Sequence, residues 1–468
     1  MSAETTLPWR SLLARPYGAY LATFSLGSAL YAFGAFLVSA CMPSAVQELG
    51  HVNLMSWGFT FYLVAAIVAG TLASPMKWRL GTGPALQCAG AAYLLGSLAC
   101  GFAPSIWVLL GGRVLQGLGE GAVSGLTYIL IPEVFPALMI PAIFGIEATI
   151  WAAGSLAGPV VGGLLTQAFS WRLAFLAEVP PILLFMALVW AVIPEHGQRA
   201  EARHRLPLAR MGGVALGILL LSAAAIEPQA WARIASVGFA LALLVLMAVW
   251  DLHAPNRLLP RGAFSLRSRA GLAFWIVLLL PSAHTGPGTY VILLIEKVWG
   301  YHPLGASILG AAMVAGWSGV GMMVSRASPR RARLCLWAGP GLVALGLISG
   351  GPAMEWANLW LLLLGQALVG AGYGLCWGFL SQVIMTGSEE ADRDRASAML
   401  PTVLSAGLAI GAALGGIAAN AAGLAEGVPV STVIHAGVWC FLVASAIGLA
   451  GLVLALRLRG LRPVTAPG

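Results

Sequence analysis

Charge is what this 468-residue chain has least of: 9% of its residues are Asp, Glu, Lys or Arg, about a third of the share usual in soluble domains. Lysine is almost missing, with Lys77 and Lys297 standing against 23 arginines. So few charges cannot cover a water-facing surface, which excludes an ordinary soluble enzyme or binding module. The six cysteines form no C-x-x-C pair, and Cys88, Cys100, Cys335, Cys376 and Cys440 sit inside apolar runs, so neither a disulfide framework nor a metal site is expected. The formal charge of +8 is dispersed among short loops. A nucleic-acid partner needs basic residues gathered on one face, and none is expected here, nor is a cofactor.

What the chain does have is apolar length: 59% of its residues are hydrophobic, with a mean hydropathy of +0.88. A bilayer-spanning helix needs about 20 apolar residues, because hydrocarbon offers no water to satisfy backbone polar groups. The 59 glycines would weaken soluble helices, but membrane helices use them for close contact. Apolar runs bounded by charge, Pro and Gly predict fourteen spans. The first six are Tyr17 to Cys41, Leu54 to Ala73, Gly83 to Phe102, Ser105 to Leu130, Pro141 to Thr166 and Trp171 to Ile193. A shorter pair follows, Met211 to Ile226 and Ala232 to Trp250. The last six are Ala270 to Ile295, Leu304 to Val324, Leu334 to Ser349, Leu359 to Met385, Ala396 to Ala422 and Ser431 to Leu456. The first run is longer than the apolar region of a signal peptide, so it reads as a span despite Arg10, Arg15 and the lipoprotein-like Val38-Ser39-Ala40-Cys41.

The reading is therefore an all-α polytopic membrane protein, with an N-terminal six-helix bundle over 1–193, linkers and an inserted pair over 194–269, and a C-terminal six-helix bundle over 270–468. Positive-inside counting orients it. With both termini cytoplasmic, the inside segments hold 21 of the 25 basic residues, and the outside loops hold only Arg172, Arg233 and Lys297. If the short pair did not cross, twelve spans would remain with the same termini. The expected location is the cell inner membrane, and the protein is expected to act as a monomer.

The two sets of six echo each other. Arg113-x-x-Gln116-Gly117-x-Gly119 has a partial counterpart in Gln366-x-x-x-Gly370-x-Gly372-x-Gly374, and Gly154, Gly158, Gly162 and Gly163 match Gly407, Gly411, Gly415 and Gly416. An internal repeat suggests two like bundles with a midplane site between them. At these residues the chain resembles the fourteen-helix drug:proton antiporter branch of the major facilitator superfamily, from about Tyr17 to Leu456. Gly154-x-x-x-Gly158-Pro159-x-x-Gly162-Gly163, followed by Ser170-Trp171-Arg172 and Val179-Pro180, is similar to the fifth-helix antiporter motif and the start of the sixth helix. Arg113-x-x-Gln116-Gly117-x-Gly119 is similar to the fourth-helix motif, and an extra pair with Trp231 between its members fits the same branch. The resemblance implies two six-helix bundles exchanging access to a central cavity, proton-coupled efflux of a small organic molecule or drug, and no enzymatic activity.

Two departures stand out. The family's first helix usually carries an Asp nine residues before the Pro of Ala-Leu-Pro; here Cys41-Met42-Pro43 puts Gly34 at that position. The gate loop after the second span usually contains an acid, yet Gly70 to Gly83 has none. Charges inside a span cost at least about 2.5–3.5 kcal/mol, so each is a functional candidate. Apart from Arg172 and Arg233, each the second residue of its run and counted with the outside loops, the predicted spans contain four: Arg113, Glu120, Glu147 and Glu178. Counting about 1.5 Å per residue from the span ends sets Arg113 and Glu178 at similar depth, within reach of pairing, and groups Glu120 with Glu147 in the cytoplasmic half. Burial disfavours a charged carboxyl and a nearby guanidinium favours it, so such groups can exchange protons as a cavity opens. Glu120 or Glu147 is the expected proton carrier in place of the missing Asp, with Arg113 tuning it. Glu178 stands where the family has Asn and is assigned, with Gln116, to the substrate cavity.

In the second half, His284 precedes Thr285-Gly286-Pro287-Gly288, a run expected to break or kink its helix and line the substrate cavity. Trp317, with Tyr31, Trp151, Tyr373 and Trp377, could stack on a substrate. The acidic and basic loop from Glu389 to Arg395 reads as a solvated turn. Two other classes are weighed. Gly316-Trp317-Ser318-Gly319 with His284 mimics an intramembrane serine hydrolase, but a dyad is established by geometry and not by proximity in sequence. A transport-dead sensor could tolerate the missing acid and altered gate loop. Among transporters, a dedicated exporter or importer of one metabolite or metallophore is the alternative to drug efflux.

Overall fold

The computed structural model describes residues 14, 16–136, 139–193, 207–254, 257–324, 329–387 and 393–460. Among them every regular element is helical: α1 Tyr17–Glu48, α2 Met55–Leu80, α3 Thr82–Gly101, α4 Ile106–Val134, α5 Ile140–Ala168, α6 Trp171–Leu176, α7 Val179–Val192, α8 Leu208–Ala223, α9 Ala230–His253, α10 Arg269–Trp299, α11 Pro303–Gly310, α12 Ala312–Val324, α13 Pro329–Glu355, α14 Leu359–Gly387, α15 Arg393–Ala421 and α16 Val430–Gly460. The inside arginines Arg10, Arg15, Arg199, Arg203, Arg205, Arg326 and Arg462, and the acids Glu389, Glu390 and Asp392, lie outside the described residues.

Thirteen helical segments among the described residues are long and apolar enough to cross a bilayer, making this a multi-pass membrane protein. Fourteen were expected. The difference is α3, whose 20 residues give it the length of a span at about 1.5 Å each. Its Gln87, Gly90, Gly96 and Ser97 dilute its apolarity, and it packs through small residues. A Cβ at Gly96 would fall 2.5 Å from Gln116 N, and one at Gly119 of α4 would fall 2.4 Å from Tyr93 N.

The chain divides into two compact units, Met1–Cys41 with Ala65–Arg203, and Met42–Val64 with His204–Gly468. The first has a core of Phe24, Leu86, Val123, Leu126, Ile182 and Phe185. Its glycine motif sets α5 directly on α1: Cβ atoms at Gly154, Gly158 and Gly162 would fall 2.9 Å from Ala32 Cβ, 3.0 Å from Leu37 N and 2.6 Å from Leu37 O. Pro159 and Gly163 are buried in the same helix.

The second unit repeats the device with α15 against α10. Cβ atoms at Gly407, Gly411 and Gly415 would meet Leu278 O at 2.5 Å, Ser282 O at 2.5 Å and Gly286 Cα at 2.5 Å. The run at Gly286 does not break the helix: α10 continues from Arg269 to Trp299 with Pro281 and Pro287 inside it. A membrane helix tolerates Pro where neighbouring helices hold it, and α15 grips Gly286 at that level. The inserted pair, α8 and α9, joins this unit through Leu221, Ala240 and Ala413. Asn420 Nδ2 donates to Ala225 O (3.0 Å) and Asn53 O (2.8 Å), and Trp57 Nε1 donates to Ser222 O (3.0 Å).

The inserted pair also buries charge that the span reading missed. Arg210, in the first turn of α8, donates to Asp251 near the end of α9 (2.5 Å), and both are buried. Asp251 Oδ2 also accepts from Leu258 N (3.0 Å) and Leu259 N (2.8 Å), fastening the linker that follows.

Candidate functional site

The prolines of Val179-Pro180-Pro181 lack backbone N–H groups and suit the first turn of a helix, not its interior. The sixth predicted span accordingly divides into α6 and α7, with Glu178 at the N-cap of α7. The discontinuity expected near Gly286 in α10 is found here instead. Its position aims Glu178, which is fully buried, at α3 and α4. Glu178 Oε2 accepts from Ser97 Oγ (2.9 Å) and from Gln116 Nε2 (2.7 Å), while Gln116 Oε1 accepts from Arg113 Nη1 (2.6 Å). Gln116 Nε2 also donates to Ser97 Oγ (2.9 Å). Arg113 is 1% exposed and Gln116 0%. Arg113 and Glu178 are thus linked through the Gln116 amide, whose two ends suit a cation on one side and an anion on the other.

Glu120, one turn beyond Gln116 in α4, completes the cluster from an unexpected side. A Cβ built on Gly34 of α1 would lie 2.8 Å from Glu178 Oε1, 2.8 Å from Tyr93 Oη and 3.0 Å from Glu120 Oε1. Both glutamates therefore point into the space above Gly34, the position where the first-helix Asp is missing. Depth counting had grouped Glu120 with Glu147; the structure groups it with Glu178. Counting follows Cα positions along ideal helices and ignores how far a Glu side chain reaches.

Glu147 stands apart in α5. It is buried, with Ser28 and Tyr128 as its polar neighbours. Four residues on, Trp151 meets Tyr31 edge to face, with ring centroids 5.1 Å apart.

The second unit holds the other candidates. Trp317 of α12 stacks on Tyr373 of α14 (5.0 Å, 22°), Trp377 lies 6.1 Å from Trp317, and His284 of α10 meets Tyr373 edge to face at 6.0 Å. Tyr373 Oη is buried and has no hydrogen-bond partner among the described residues. Sequence reasoning named these residues singly, and the contact between three helices that joins them was not visible in spacing. It also missed Glu133: although Gly70 to Gly83 holds no acid, Lys77 at the end of α2 pairs with Glu133 at the end of α4. The four-residue hydrolase-like match gains no support from this arrangement, because His284 is engaged with Tyr373.

Comparison with known proteins supplies the remaining evidence. The family model described as Major Facilitator Superfamily matches residues 24–353. A Mycobacterium tuberculosis protein named "Probable multidrug-efflux transporter" is 32% identical over 445 residues, covering 90% of this chain and 91% of that one. The multidrug resistance protein Stp of the same species is 29% identical, covering 83% of this chain and 73% of its own. Among solved structures, a D-xylose-proton symporter superposes with a TM-score of 0.67 at 16% identity, covering 93% of this chain and 97% of that one. That likeness speaks to the fold.

Proposed function

This chain belongs to the Major Facilitator Superfamily and is a transporter, not an enzyme; from that premise we propose that it exports small organic molecules or drugs across the cell inner membrane in exchange for protons. Efflux rests on the names its relatives carry. Proton coupling rests on the buried constellation of Arg113, Gln116, Glu178 and Glu120 around Gly34. Ionisable groups are costly at that depth, and proton relays are one use that repays the cost.

In this reading fourteen helices cross, α3 included, with both termini cytoplasmic. Two six-helix bundles alternate access, and α8 and α9 travel with the second. Glu120 carries the proton together with Glu178, and Arg113 tunes them. Gln116, whose amide is engaged at both ends, serves the proton site and not the substrate. His284 and Trp317 belong to the substrate wall, where the Trp317, Tyr373 and Trp377 faces suit aromatic and lipophilic cationic compounds. Gly154, Gly158, Pro159, Gly162 and Gly163 form the seam that α5 presents to α1.

The test is ethidium uptake into inverted vesicles under an imposed pH gradient, alongside a panel of anions and metallophores. Wild type is expected to accumulate ethidium and to lose it on adding a protonophore. Glu120→Gln is expected to reduce gradient-driven uptake at least tenfold. Uptake indifferent to the gradient refutes the proton-coupled reading.

A further inference from the structure

The turn between α8 and α9 carries two charges that the transport reading does not use. Glu227 stands before the turn's proline, and Arg233 lies in the first turn of α9. Both side chains are half-buried, and both line one cavity of about 260 Å³ together with Asn53, Asn420 and Leu424. All five residues belong to the second unit. The volume falls below the roughly 300–1,000 Å³ of sites for drug-sized ligands, so this cavity suits a small polar group and is not the substrate site.

Its wall is held by hydrogen bonds. Asn420 Nδ2 donates to Asn53 O and Ala225 O, which ties the end of α15 to the turn. Arg233 Nε and Nη2 both donate to Glu227 O, at 3.1 and 2.6 Å. Glu227 Oε1 accepts from Gln229 N at 3.4 Å. The guanidinium is therefore fastened to the backbone carbonyl of Glu227, while the carboxylate engages the backbone of Gln229. Arg and Glu line the cavity as two separate charges and complement a ligand that carries a cation and an anion of its own. Guanidinium with phosphate and carboxylate with ammonium are the strong, charge-assisted matches.

The surroundings say what delivers such a zwitterion. Trp231, 72% exposed, lies between the two charges in sequence, and tryptophan anchors helices at the level of lipid headgroups. From there Ile234, Leu241 and Val245, all exposed, run down one face of α9 at helical spacing. The cavity thus opens at headgroup level above an apolar stripe suited to an acyl chain.

We infer that this cavity binds the headgroup of a phospholipid of the ethanolamine class, with Arg233 on its phosphate, Glu227 on its primary ammonium and a chain along Ile234 and Leu241. The assignment depends on neither proton coupling nor the direction of transport.

The test is native mass spectrometry of the purified full-length protein titrated with dioleoyl lipids. Phosphatidylethanolamine is expected to bind about tenfold more tightly than phosphatidylcholine, whose quaternary ammonium has no N–H for Glu227, or phosphatidylglycerol, which has no cation. Glu227→Gln is expected to erase that preference while leaving phosphatidylcholine binding unchanged. Arg233→Gln is expected to weaken all three lipids, and Glu355→Gln, an exposed charge at the end of α13, to alter none. Equal binding of the three lipids by wild type overturns the assignment, as does a preference that survives Glu227→Gln. Because each readout compares lipids on one protein, a turn loosened by the Arg233 variant leaves the result decisive. Water-soluble phosphoethanolamine at equal concentration is expected not to displace the lipid; if it displaces the lipid readily, the acyl stripe contributes nothing and a free solute is the ligand, which overturns the lipid assignment.

Discussion

Replacing Gly162 by Ala tests whether the glycine seam between α5 and α1 is a steric requirement. The added Cβ would stand 2.6 Å from Leu37 O, a backbone atom that cannot rotate away. An unstrained carbon–oxygen contact is about 3.3–3.6 Å, so the two helices must separate locally by about 0.7 Å or more. A gap of that size forfeits a quarter to a half of each dispersion contact along the seam, and overpacking of this kind costs about 1–3 kcal/mol. The reference substitution is Gly111→Ala in α4, where a Cβ meets nothing within 4 Å; there the helix gains up to about 1 kcal/mol. Thermal unfolding in detergent separates the two. Because the shift in Tm per kcal/mol shrinks with chain length, Gly162→Ala is expected to lower Tm by roughly 1–6 °C while Gly111→Ala leaves it equal or higher. Gly411→Ala in the second unit, 2.5 Å from Ser282 O, is expected to behave like Gly162→Ala. If Gly162→Ala and Gly111→Ala unfold together, the seam is not sterically tight and the reasoning fails.

Asp251→Ala removes the partner of a buried Arg210 and the acceptor for Leu258 N and Leu259 N, a loss of about 3–5 kcal/mol for a broken buried pair. It is expected to destabilise the protein and to expose Arg257 and Arg261 to trypsin, with Asp251→Asn intermediate; unchanged cleavage would contradict the latch. Tyr373→Phe removes a buried hydroxyl that has no partner among the described residues, an arrangement that costs about 1–3 kcal/mol. Stability is expected to hold or rise, while ethidium transport weakens through a higher KM; lower stability with unaltered transport would make Tyr373 an ordinary core residue.

Most of the architecture was legible because lipid constrains it so strongly: apolar runs bounded by charge located helices that the structure contains, and the glycine spacing of α5 and α15 anticipated two equivalent seams. What escaped was the work of single residues that depends on distant ones. The α6–α7 break sits before Pro180 and not at Pro287, since nothing in a local Gly-Pro-Gly run reveals that α15 packs on it. Glu133 answers Lys77, and Asp251 answers Arg210, across 56 and 41 residues of chain, distances over which spacing carries no information. The third helix falls short of the apolarity of its neighbours because close packing through Gly96 favours small residues over greasy ones.

The absence of an acid at position 34 and the presence of acids at 120 and 178 are then one feature and not two. Were Gly34 a relic of a lost function, nothing would require the space above it to be filled by polar groups, and each buried charge would be a cost of at least about 2.5–3.5 kcal/mol with no return. Instead the oxygens of Glu178, Glu120 and Tyr93 all lie within 3.0 Å of where its side chain would begin. Acids delivered by α4 and by the start of α7 occupy the place that an acid on α1 would reach. Relocation of the carboxyl, with Arg113 kept close through Gln116, accounts for the missing first-helix Asp without abandoning proton exchange, and it weighs against a transport-dead sensor, for which four buried ionisable groups in one unit would be expense without use.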